Sequence, residues 1–474
     1  GQQKEGGLYK MKAKKMMSLL LATSMLASSA VYVNAEETTG EEIVFSIGDW
    51  PDEAAEPDKF ENWEKARMNF EEQNPGIKIE TDTYAYTADT FMAKAAAGQL
   101  PDVFTIPLTE AKSIGESGYV RDITDILVEL GYWDAYKDTV KEAITAEDGR
   151  VYCYQSSGYT FGLLANKSVL EEADLLNEDG TFTAPNTYDE LAKMAGQIRE
   201  KTGKTGLALP TMNNCGGWHF AVIASGNGVQ FEEQNEDGSW TASFNTQEAV
   251  DTLQYIKDLK WKYDALDANS YIDYVQMFSL VGSGQAGFVL GDPGEGIFDT
   301  FTNNGMTEDE LLVMAIPEGT AGRYALSGGT IYCFSPDMTD EEVKAAFDYL
   351  EYRGWGMSAQ EDSYSRTEEY YQTRLDEGKM VLPVCVDSVF KDADVVKVKN
   401  EVMGKVGNVA YEQIASYVEN EDTVVCTEPS VYCQELYAIL DGVVQEVITN
   451  ENADPAQLIA DAAADFQMNY LDLE

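Results

Sequence analysis

The chain has 474 residues and a formal net charge of −50 at pH 7, because 83 acidic residues outnumber 33 lysines and arginines. A surface this negative repels nucleic acids and anionic membrane faces, so neither is expected as a partner. Hydrophobic residues make up 44% and aromatic residues 11% of the chain, which is enough for packed cores and argues against disorder. A chain of this length is expected to form two or three domains.

The first 35 residues have the pattern of a secretory signal. Lysines at 12, 14 and 15 precede an apolar or small stretch at 16–30, and Val33 and Ala35 give the small-x-small pattern that signal peptidase reads. The apolar stretch is too short and wrongly flanked for a membrane span. We expect residues 1–35 to be a leader plus signal peptide and the remaining chain to be exported.

The expected signal offers no residue for a lipid anchor. Residues 26–29 have the shape of a lipobox with Ser29 in place of the required cysteine, and the first cysteine is Cys153. We expect translation to start at Met11, after a leader at 1–10, and the product to be freely secreted or periplasmic. No later apolar run approaches about 18–20 residues, so no other membrane span is expected.

Strands and helices alternate in the first part of the exported chain. The predicted elements are strands at 43–47, 77–84 and 101–106, and helices at 62–72, 88–97, 114–118 and 123–130. Asn74, Pro75 and Gly76 end the first of these helices. This alternation predicts a parallel α/β sheet.

The mixed pattern continues through the rest of the chain. The predicted elements are strands at 151–154, 161–165, 286–290, 312–316 and 329–334, and helices at 188–202, 246–263 and 339–352. Thr187 is expected to cap one helix, with Glu190 in the capping-box position, and Thr339 or Asp337 to cap another. From about 388 to 469 the pattern is mostly helical, with one loop at 427–430. No linker or repeat divides the chain, so we expect the chain to pass several times between its two presumed lobes.

Two glycine-containing motifs lie in the wrong context for ligand binding. Residues 282–287 match G-x-G-x-x-G, but they precede a predicted strand instead of following one, which argues against a dinucleotide site. The Asn-Glu-Asp-Gly runs at 177–180 and 235–238 lack the glutamate that a calcium loop needs after its glycine. Both runs are therefore interpreted as tight turns between pairs of strands.

The cysteines and the single histidine predict no metal site. With only His219 in the chain, a zinc site of Cys/His type is not expected. Export makes disulfides possible, and Cys426 and Cys433 are close enough in sequence to pair, but free buried cysteines fit equally well. The chain lacks the G-x-S-x-G motif of a serine hydrolase, which favours a structural or ligand-contact role for His219.

Aromatic residues at loop positions indicate a binding site. They are Trp50, Tyr84, Tyr86, Tyr159, Trp218 and Trp355. Several follow predicted strands, and open α/β sheets bind ligands outside the carboxyl ends of their strands. A sugar ring offers C–H faces to aromatic planes and hydroxyl groups to short polar side chains, so a carbohydrate suits these loops.

Six segments, in a fixed order, carry a family resemblance. They are Phe-Glu-Glu-Gln-Asn-Pro-Gly-Ile-Lys-Ile at 70–79, Ala-Ala-Gly-Gln-Leu-Pro-Asp-Val-Phe at 96–104, Gly-Leu-Leu-Ala-Asn-Lys at 162–167, Pro-Asn-Thr-Tyr-Asp-Glu-Leu at 185–191, Gly-Gln-Ala-Gly-Phe at 284–288 and Ser-Gly-Gly at 327–329. In this order, behind a signal peptide, the chain resembles the extracellular solute-binding proteins of ABC importers, in the family that includes maltose-binding protein.

The resemblance implies an α/β, two-lobe periplasmic-binding-protein fold (type II-like), with a cleft between lobes and a hinge crossed by several strands. The implied first lobe holds 41–155 with 311–353, and the second holds 156–310 with 354–474. The implied function is capture of a carbohydrate, most simply an oligosaccharide, by hinge closure and its delivery to a membrane permease. The protein would act as a monomer, without catalytic residues, cofactors or metal.

The resemblance also implies further contacts with the ligand. They are Thr105, Thr109, Glu110, Asp292 and Glu295, with Gly328 and Gly329 of the last matching segment. The chain departs from the pattern at Ala165, where the family commonly has tyrosine, and at Gly294, where maltose-type members place an aromatic residue. The second departure argues against a maltodextrin ligand.

Two other functions fit the sequence. A secreted polysaccharide hydrolase or lyase would need two positioned carboxylates in a cleft, and the abundance of acidic residues neither shows nor excludes such a pair. The same fold could also bind a peptide, a polyamine or another cation, as the excess of acid would allow.

Overall fold

The computed structural model describes residues 42–112, 114–269 and 271–473. The expected signal peptide at 1–35 lies outside the described residues. Within the described ranges, no helix has both the length and the apolar character needed to cross a membrane.

The strands are numbered in chain order. They are β1 (Ile43–Ile47), β2 (Ile77–Thr81), β3 (Val103–Pro107), β4 (Tyr154–Gln155), β5 (Tyr159–Thr160), β6 (Gly162–Asn166), β7 (Thr205–Ala208), β8 (Glu232–Gln234), β9 (Trp240–Ala242), β10 (Ala286–Gly291), β11 (Leu311–Met314), β12 (Tyr324–Gly328), β13 (Thr330–Phe334) and β14 (Val424–Thr427).

The α-helices are numbered in the same way. They are α1 (Pro57–Gln73), α2 (Ala88–Ala96), α3 (Thr124–Glu129), α4 (Tyr132–Ala135), α5 (Asp138–Ile144), α6 (Lys167–Glu172), α7 (Tyr188–Thr202), α8 (Cys215–Gly226), α9 (Gln247–Trp261), α10 (Tyr274–Gly282), α11 (Glu295–Asn303), α12 (Asp340–Tyr352), α13 (Ser363–Asp376), α14 (Asp394–Val406), α15 (Ala415–Val418), α16 (Cys433–Thr449) and α17 (Pro455–Asn469).

The first sheet has the strand order β2-β1-β3-β13-β4. β1 pairs in parallel with β2 and β3, as the alternation of strands and helices predicts. β13 returns from much later in the chain and pairs antiparallel with both β3 and β4. The sheet is therefore mixed, and its carboxyl-end loops after β1, β2 and β3 open at the same edge.

The second sheet has the order β11-β6-β10-β7. Successive residues of its strands pack on opposite faces: Leu163 and Phe288 join one hydrophobic cluster, whereas Leu164 and Val289 join another. Both faces are covered, which explains why β6 and β10 are buried along their whole length. The lobe boundaries stay a prediction, but β11, predicted for the first lobe, pairs with β6 in this second sheet.

A third sheet, the hinge sheet, joins the other two. Its order is β14-β12-β5, with β12 antiparallel to β5 and parallel to β14. β5 lies in the chain between β4 of the first sheet and β6 of the second, and β12 runs into β13 with only Gly329 between them. The chain thus crosses between the large sheets at both strands, as expected for a hinge.

Capping residues determine where several helices begin. Thr187 caps α7 by accepting a hydrogen bond from the Glu190 backbone at 3.2 Å, although the Glu190 carboxylate binds the Asn186 backbone instead of returning to Thr187. Thr339, not Asp337, caps α12 in a full capping box.

The two Asn-Glu-Asp-Gly runs behave differently. The run at 235–238 joins β8 and β9 as a hairpin, which confirms the prediction. The run at 177–180 is a turn without flanking strands, so the strand pair predicted around it is wrong. The Asn177 side chain donates hydrogen bonds to Thr181 and Thr183, and these side-chain bonds take the place of a strand ladder.

Replacement of Gly217 tests the close packing of α8 on α16. A Cβ at Gly217 would lie 2.2 Å from the carbonyl oxygen of Tyr437, whereas one at Gly442 on α16 would contact nothing within 4 Å. We expect Gly217→Ala to lower the free energy of unfolding by about 1–3 kcal/mol, because backbone must move. Gly442→Ala, the matched control, should raise it by roughly 0.5–1 kcal/mol. Equal effects in urea unfolding would contradict this packing.

Candidate functional site

The carboxyl ends of β1 and β3 bring polar groups together at the edge of the first sheet. Asp49, two residues after the end of β1, has a positive φ of 55° that turns the chain away from the strand. The Thr105 hydroxyl donates a hydrogen bond to its carboxylate. Burial nevertheless raises the pKa of Asp49 above its usual value.

Three of the predicted aromatic residues pack in or against the hydrophobic core of the first sheet, including Trp355, which the resemblance assigns to the second lobe. Trp50 is 3% and Tyr84 6% exposed, and both belong to the hydrophobic core of the first sheet. The Trp50 ring packs on Trp63 at 5.2 Å, and Trp63 packs on Trp355 at 5.3 Å. The Arg353 guanidinium lies over the rings of Trp63 and Trp355, which ties Trp355 to the core.

Tyr86 and Glu110 face a carboxylate from α16. Glu110 ends a short 3₁₀ helix after β3, and the Thr109 hydroxyl donates to it at 3.4 Å. Burial, followed by the charge of Glu435, raises the pKa of Glu110. Burial, followed by the charges of Glu110 and Glu435, likewise raises the pKa of Tyr86. Tyr86 and Glu110, which follow strands of the first sheet, thus lie near α16, a helix that packs in the hydrophobic cluster containing Leu163 and Phe288.

A chain of aromatic rings forms the facing side of the site. Tyr159 on β5 lies 6.1 Å from Trp218 on α8, and Trp218 stacks on Tyr274 at 6.1 Å. The Tyr274 hydroxyl donates to Asp292 at 3.5 Å. Two cavities, of about 230 and 280 Å³, meet at Asp292: Tyr159 and Gly329 line the first, and Tyr274 lines the second. The site therefore combines aromatic faces with hydrogen-bond acceptors.

Burial strongly perturbs Asp292, one of the predicted ligand contacts. Burial raises its pKa to about 6, and the hydrogen bond from Tyr274 only partly opposes this effect. Gly294 leaves room for it, because a Cβ there would lie 2.7 Å from the Asp292 carboxylate and would force that side chain to shift. An aromatic residue at Gly294 would therefore compete with Asp292 for the same space.

Gly328 and Gly329 allow close approach at the junction of the hinge sheet and the first sheet. A Cβ at Gly328 would lie 2.1 Å from the Tyr159 hydroxyl, and one at Gly329 would lie 2.8 Å from the Ser157 carbonyl oxygen. The Leu108 backbone donates to the Gly329 carbonyl at 2.9 Å. These glycines therefore position neighbouring side chains.

Glu295 is engaged away from this cluster. Its carboxylate accepts a hydrogen bond from Tyr370 at 2.7 Å and lies 3.7 Å from the Arg374 guanidinium. Of the thirteen predicted contacts, the structure brings Tyr86, Thr109 and Glu110 together on one side, and Tyr159, Trp218, Asp292, Gly328 and Gly329 on the other.

Sequence reasoning missed Tyr274 and Glu435. Tyr274 begins α10 directly after its capping residue Asp273, and no glycine or strand end marks it in the sequence. Glu435 lies in the first turn of α16, just after the predicted loop at 427–430, but it is one of 83 acidic residues. Only the packing of α16 opposite the first sheet distinguishes Glu435 from the other acidic residues.

His219 has a structural role. It is fully buried, with Nδ1 2.8 Å from the Cys215 carbonyl oxygen and Nε2 3.0 Å from that of Leu290. Burial lowers its pKa to about 4. All six cysteines are free, including Cys426 and Cys433. Within the described ranges, no group of three or more His, Cys, Asp or Glu side chains could hold a metal ion.

Comparison with known proteins places the chain in a family. Residues 65–367 match the family described as bacterial extracellular solute-binding protein. The chain belongs to this family. The described α/β sheets match the two-lobe architecture of periplasmic binding proteins, which confirms the predicted fold class.

Individual relatives of this solute-binding protein bind sugars. It is 25% identical over 304 residues to the polygalacturonan/rhamnogalacturonan-binding protein YtcQ of Bacillus subtilis (59% of this chain, 57% of the relative). It is 25% identical over 279 residues to the diacetylchitobiose-binding protein DasA of Streptomyces coelicolor (59% of each chain). The matches therefore span less than two thirds of either relative.

One similar solved structure is maltose-bound MalE3 of T. maritima. Its TM-score is 0.64 at 17% sequence identity, and the match covers 90% of this chain and 99% of that one. At this identity the likeness establishes the shared fold.

Asp292→Asn should change how the stability of this solute-binding protein depends on pH. The pKa is about 6 in the folded protein against an ordinary value of 3.8, so the folded state holds more protons between these values. Wild-type stability must then fall as pH rises through that window. Above pH 6 the variant should be more stable by roughly 2–3 kcal/mol.

Urea unfolding of both proteins between pH 3 and 8 measures this difference in stability. The difference should shrink toward zero near pH 3, where the wild-type carboxyl is mostly neutral in both the folded and the unfolded state. Asp309→Asn, at an exposed position, controls for loss of one charge. Parallel curves for Asp292→Asn and the wild type would show that no buried charge is penalised at this site.

Proposed function

We propose that the protein is the extracytoplasmic substrate-binding component of an ABC importer. It captures an oligosaccharide between its lobes by hinge closure and delivers it to a membrane permease. It acts as a monomer and without chemistry of its own. The lobes follow the boundaries implied by the resemblance, except that β11 is assigned to the second lobe and Trp355 to the first.

The observation that carries this proposal is the facing arrangement of aromatic rings and carboxylates. Tyr86 and Glu110 come from the first lobe, whereas Tyr159, Trp218 and Asp292 line the facing side. Aromatic planes pack against the C–H faces of sugar rings, and carboxylate oxygens accept hydrogen bonds from hydroxyl groups. The sugar-binding relatives in the same family support this choice of ligand class.

The charge of the site favours a neutral sugar. Glu110, Glu435 and Asp292 are acidic, and Glu110 and Asp292 are held in surroundings that raise their pKa values through burial. Adding a uronate to this group would bring further negative charge into a region of low dielectric constant. We therefore infer neutral oligosaccharides, in contrast to the polygalacturonan bound by YtcQ.

Thermal unfolding against a panel of ligands tests the function. The panel contains neutral mono- and oligosaccharides, galacturonate oligomers, amino acids and peptides. A ligand at about 100-fold over its Kd should stabilise the protein by about 2.7 kcal/mol. Stabilisation by one class of neutral sugar, which is recovered intact, is the expected result. Stabilisation only by peptides or amino acids would overturn the carbohydrate assignment, and breakdown of the sugar would indicate a hydrolase.

Glu110→Gln tests the origin of the charge preference. We expect the wild type to bind a neutral oligosaccharide at least about 10-fold more tightly than the uronate oligomer of equal length. In the variant, the ratio of the affinity for the neutral oligomer to that for the uronate oligomer should be smaller. One of the three negative charges is removed, while the glutamine still offers an acceptor oxygen. Glu171→Gln, at an exposed position on α6, should leave the ratio unchanged in titration calorimetry. Equal affinities of the wild type for both oligomers would contradict the inference.

A further inference from the structure

A third, larger cavity lies along the β14 edge of the hinge sheet. It has a volume of about 640 Å³ and is lined from the first lobe by Leu108 and α5, and from the other side by β12, β14 and the start of β8. Among its described lining residues are none of the thirteen predicted ligand contacts. We call it the hinge pocket.

Two buried acceptor atoms in the hinge pocket have no hydrogen-bond partner among the described residues. Gln155 is 1% exposed, and its Nε2 donates to the Ser157 carbonyl at 3.2 Å, but its Oε1 is unpaired. Glu232 uses Oε1 to accept from the backbones of Ser430 and Val431, whereas its buried Oε2 is unpaired. An unpaired buried acceptor costs free energy, so both atoms favour a ligand that donates hydrogen bonds.

The pocket also concentrates negative charge. Glu142, Glu232 and Glu428 line it, and the Tyr437 hydroxyl donates to Glu428 at 3.0 Å. Glu428 also lies beside Trp218 and Tyr159, where the pocket adjoins the sugar site. Burial raises the pKa of both Glu232 and Glu428 to about 7. Lys112 is the cation that lowers the pKa of Glu232, but burial outweighs it. A second positive charge would therefore be stabilised here.

The remaining lining is largely aliphatic. Val140, Val229 and Leu326 are buried residues of the lining, and they come from both sides of the pocket. A ligand that complements this surface carries positively charged N–H donors separated by methylene groups. Neutral sugars supply donors, but they bring neither the charge nor the methylene chain.

We propose that the hinge pocket, which adjoins the sugar site at Glu428, is a second binding site that takes a small aliphatic polyamine. The ammonium groups donate to Glu232, Glu428 and the unpaired Gln155 oxygen, and the methylene chain lies on the aliphatic lining. This site goes beyond the proposed sugar-binding function and does not depend on it.

Titration calorimetry of the full-length chain with spermidine tests the proposal. We expect saturable binding of one spermidine per chain, and no binding of hexane-1,6-diol, which has the methylene chain without the charge. Glu232→Gln retains an acceptor for the Ser430 and Val431 backbones and should weaken spermidine binding by about 10-fold. Glu428→Gln, which retains an acceptor for Tyr437, is a second variant in case the first does not fold.

Glu233→Gln is the matched control, because Glu233 neighbours Glu232 on β8 but is exposed and outside the pocket lining. It should leave spermidine binding unchanged. Equal weakening by Glu232→Gln and Glu233→Gln would show only general attraction to an acidic surface and overturn the proposal. Absence of saturable binding, or displacement of spermidine by a sugar that binds the cleft, would also overturn it.

Cysteine protection gives a readout that needs no variant. Cys426 lines the hinge pocket, whereas Cys385 does not, and both are free cysteines of intermediate burial. Saturating spermidine should slow alkylation of Cys426 by iodoacetamide and leave Cys385 unchanged, as followed by mass spectrometry. Unchanged alkylation of Cys426 would place spermidine elsewhere.

Discussion

The pairing of β12 with β5 and β14 is the constraint on which the other features depend. β12 continues through Gly329 into β13, so one extended stretch belongs first to the hinge sheet and then to the first sheet. The turn between them passes so close to Tyr159 and Ser157 that side chains at Gly328 and Gly329 are excluded. Both large sheets are attached through this junction. The junction therefore determines where the cavities on its two sides lie.

Burial of acidic groups is the second recurrent feature. In a chain of net charge −50, most carboxylates remain in water, where they keep the protein soluble. Asp292 lies at the expected sugar site, and Glu232 and Glu428 lie at the hinge pocket, all with pKa values raised by burial. Burying a carboxylate costs free energy, and this cost is tolerated where the carboxylate accepts hydrogen bonds from a ligand. Acids with perturbed pKa values accordingly concentrate at functional sites.

Much of the fold was predictable from local pattern. β1 and α7 were predicted at their observed bounds, since a short apolar run and a capped amphipathic helix are determined by neighbouring residues. The short strands β5, β7 and β14 were not predicted. Each has two to four residues, and its strand conformation depends on partners distant in sequence, as when β14 pairs with β12.

The sequence by itself determined the family, the α/β class and most of the loops that surround the expected ligand, because these follow from ordered motifs and strand ends. Only the tertiary structure decided which aromatic residues face the site. Trp50 and Trp218 look alike in the sequence, but one packs on Trp63 in a core and the other on Tyr159 and Tyr274 beside Asp292. Glu435 and Glu232 were likewise indistinguishable from the other acids until helix packing and the hinge sheet enclosed them, since burial arises from contacts between distant parts of the chain.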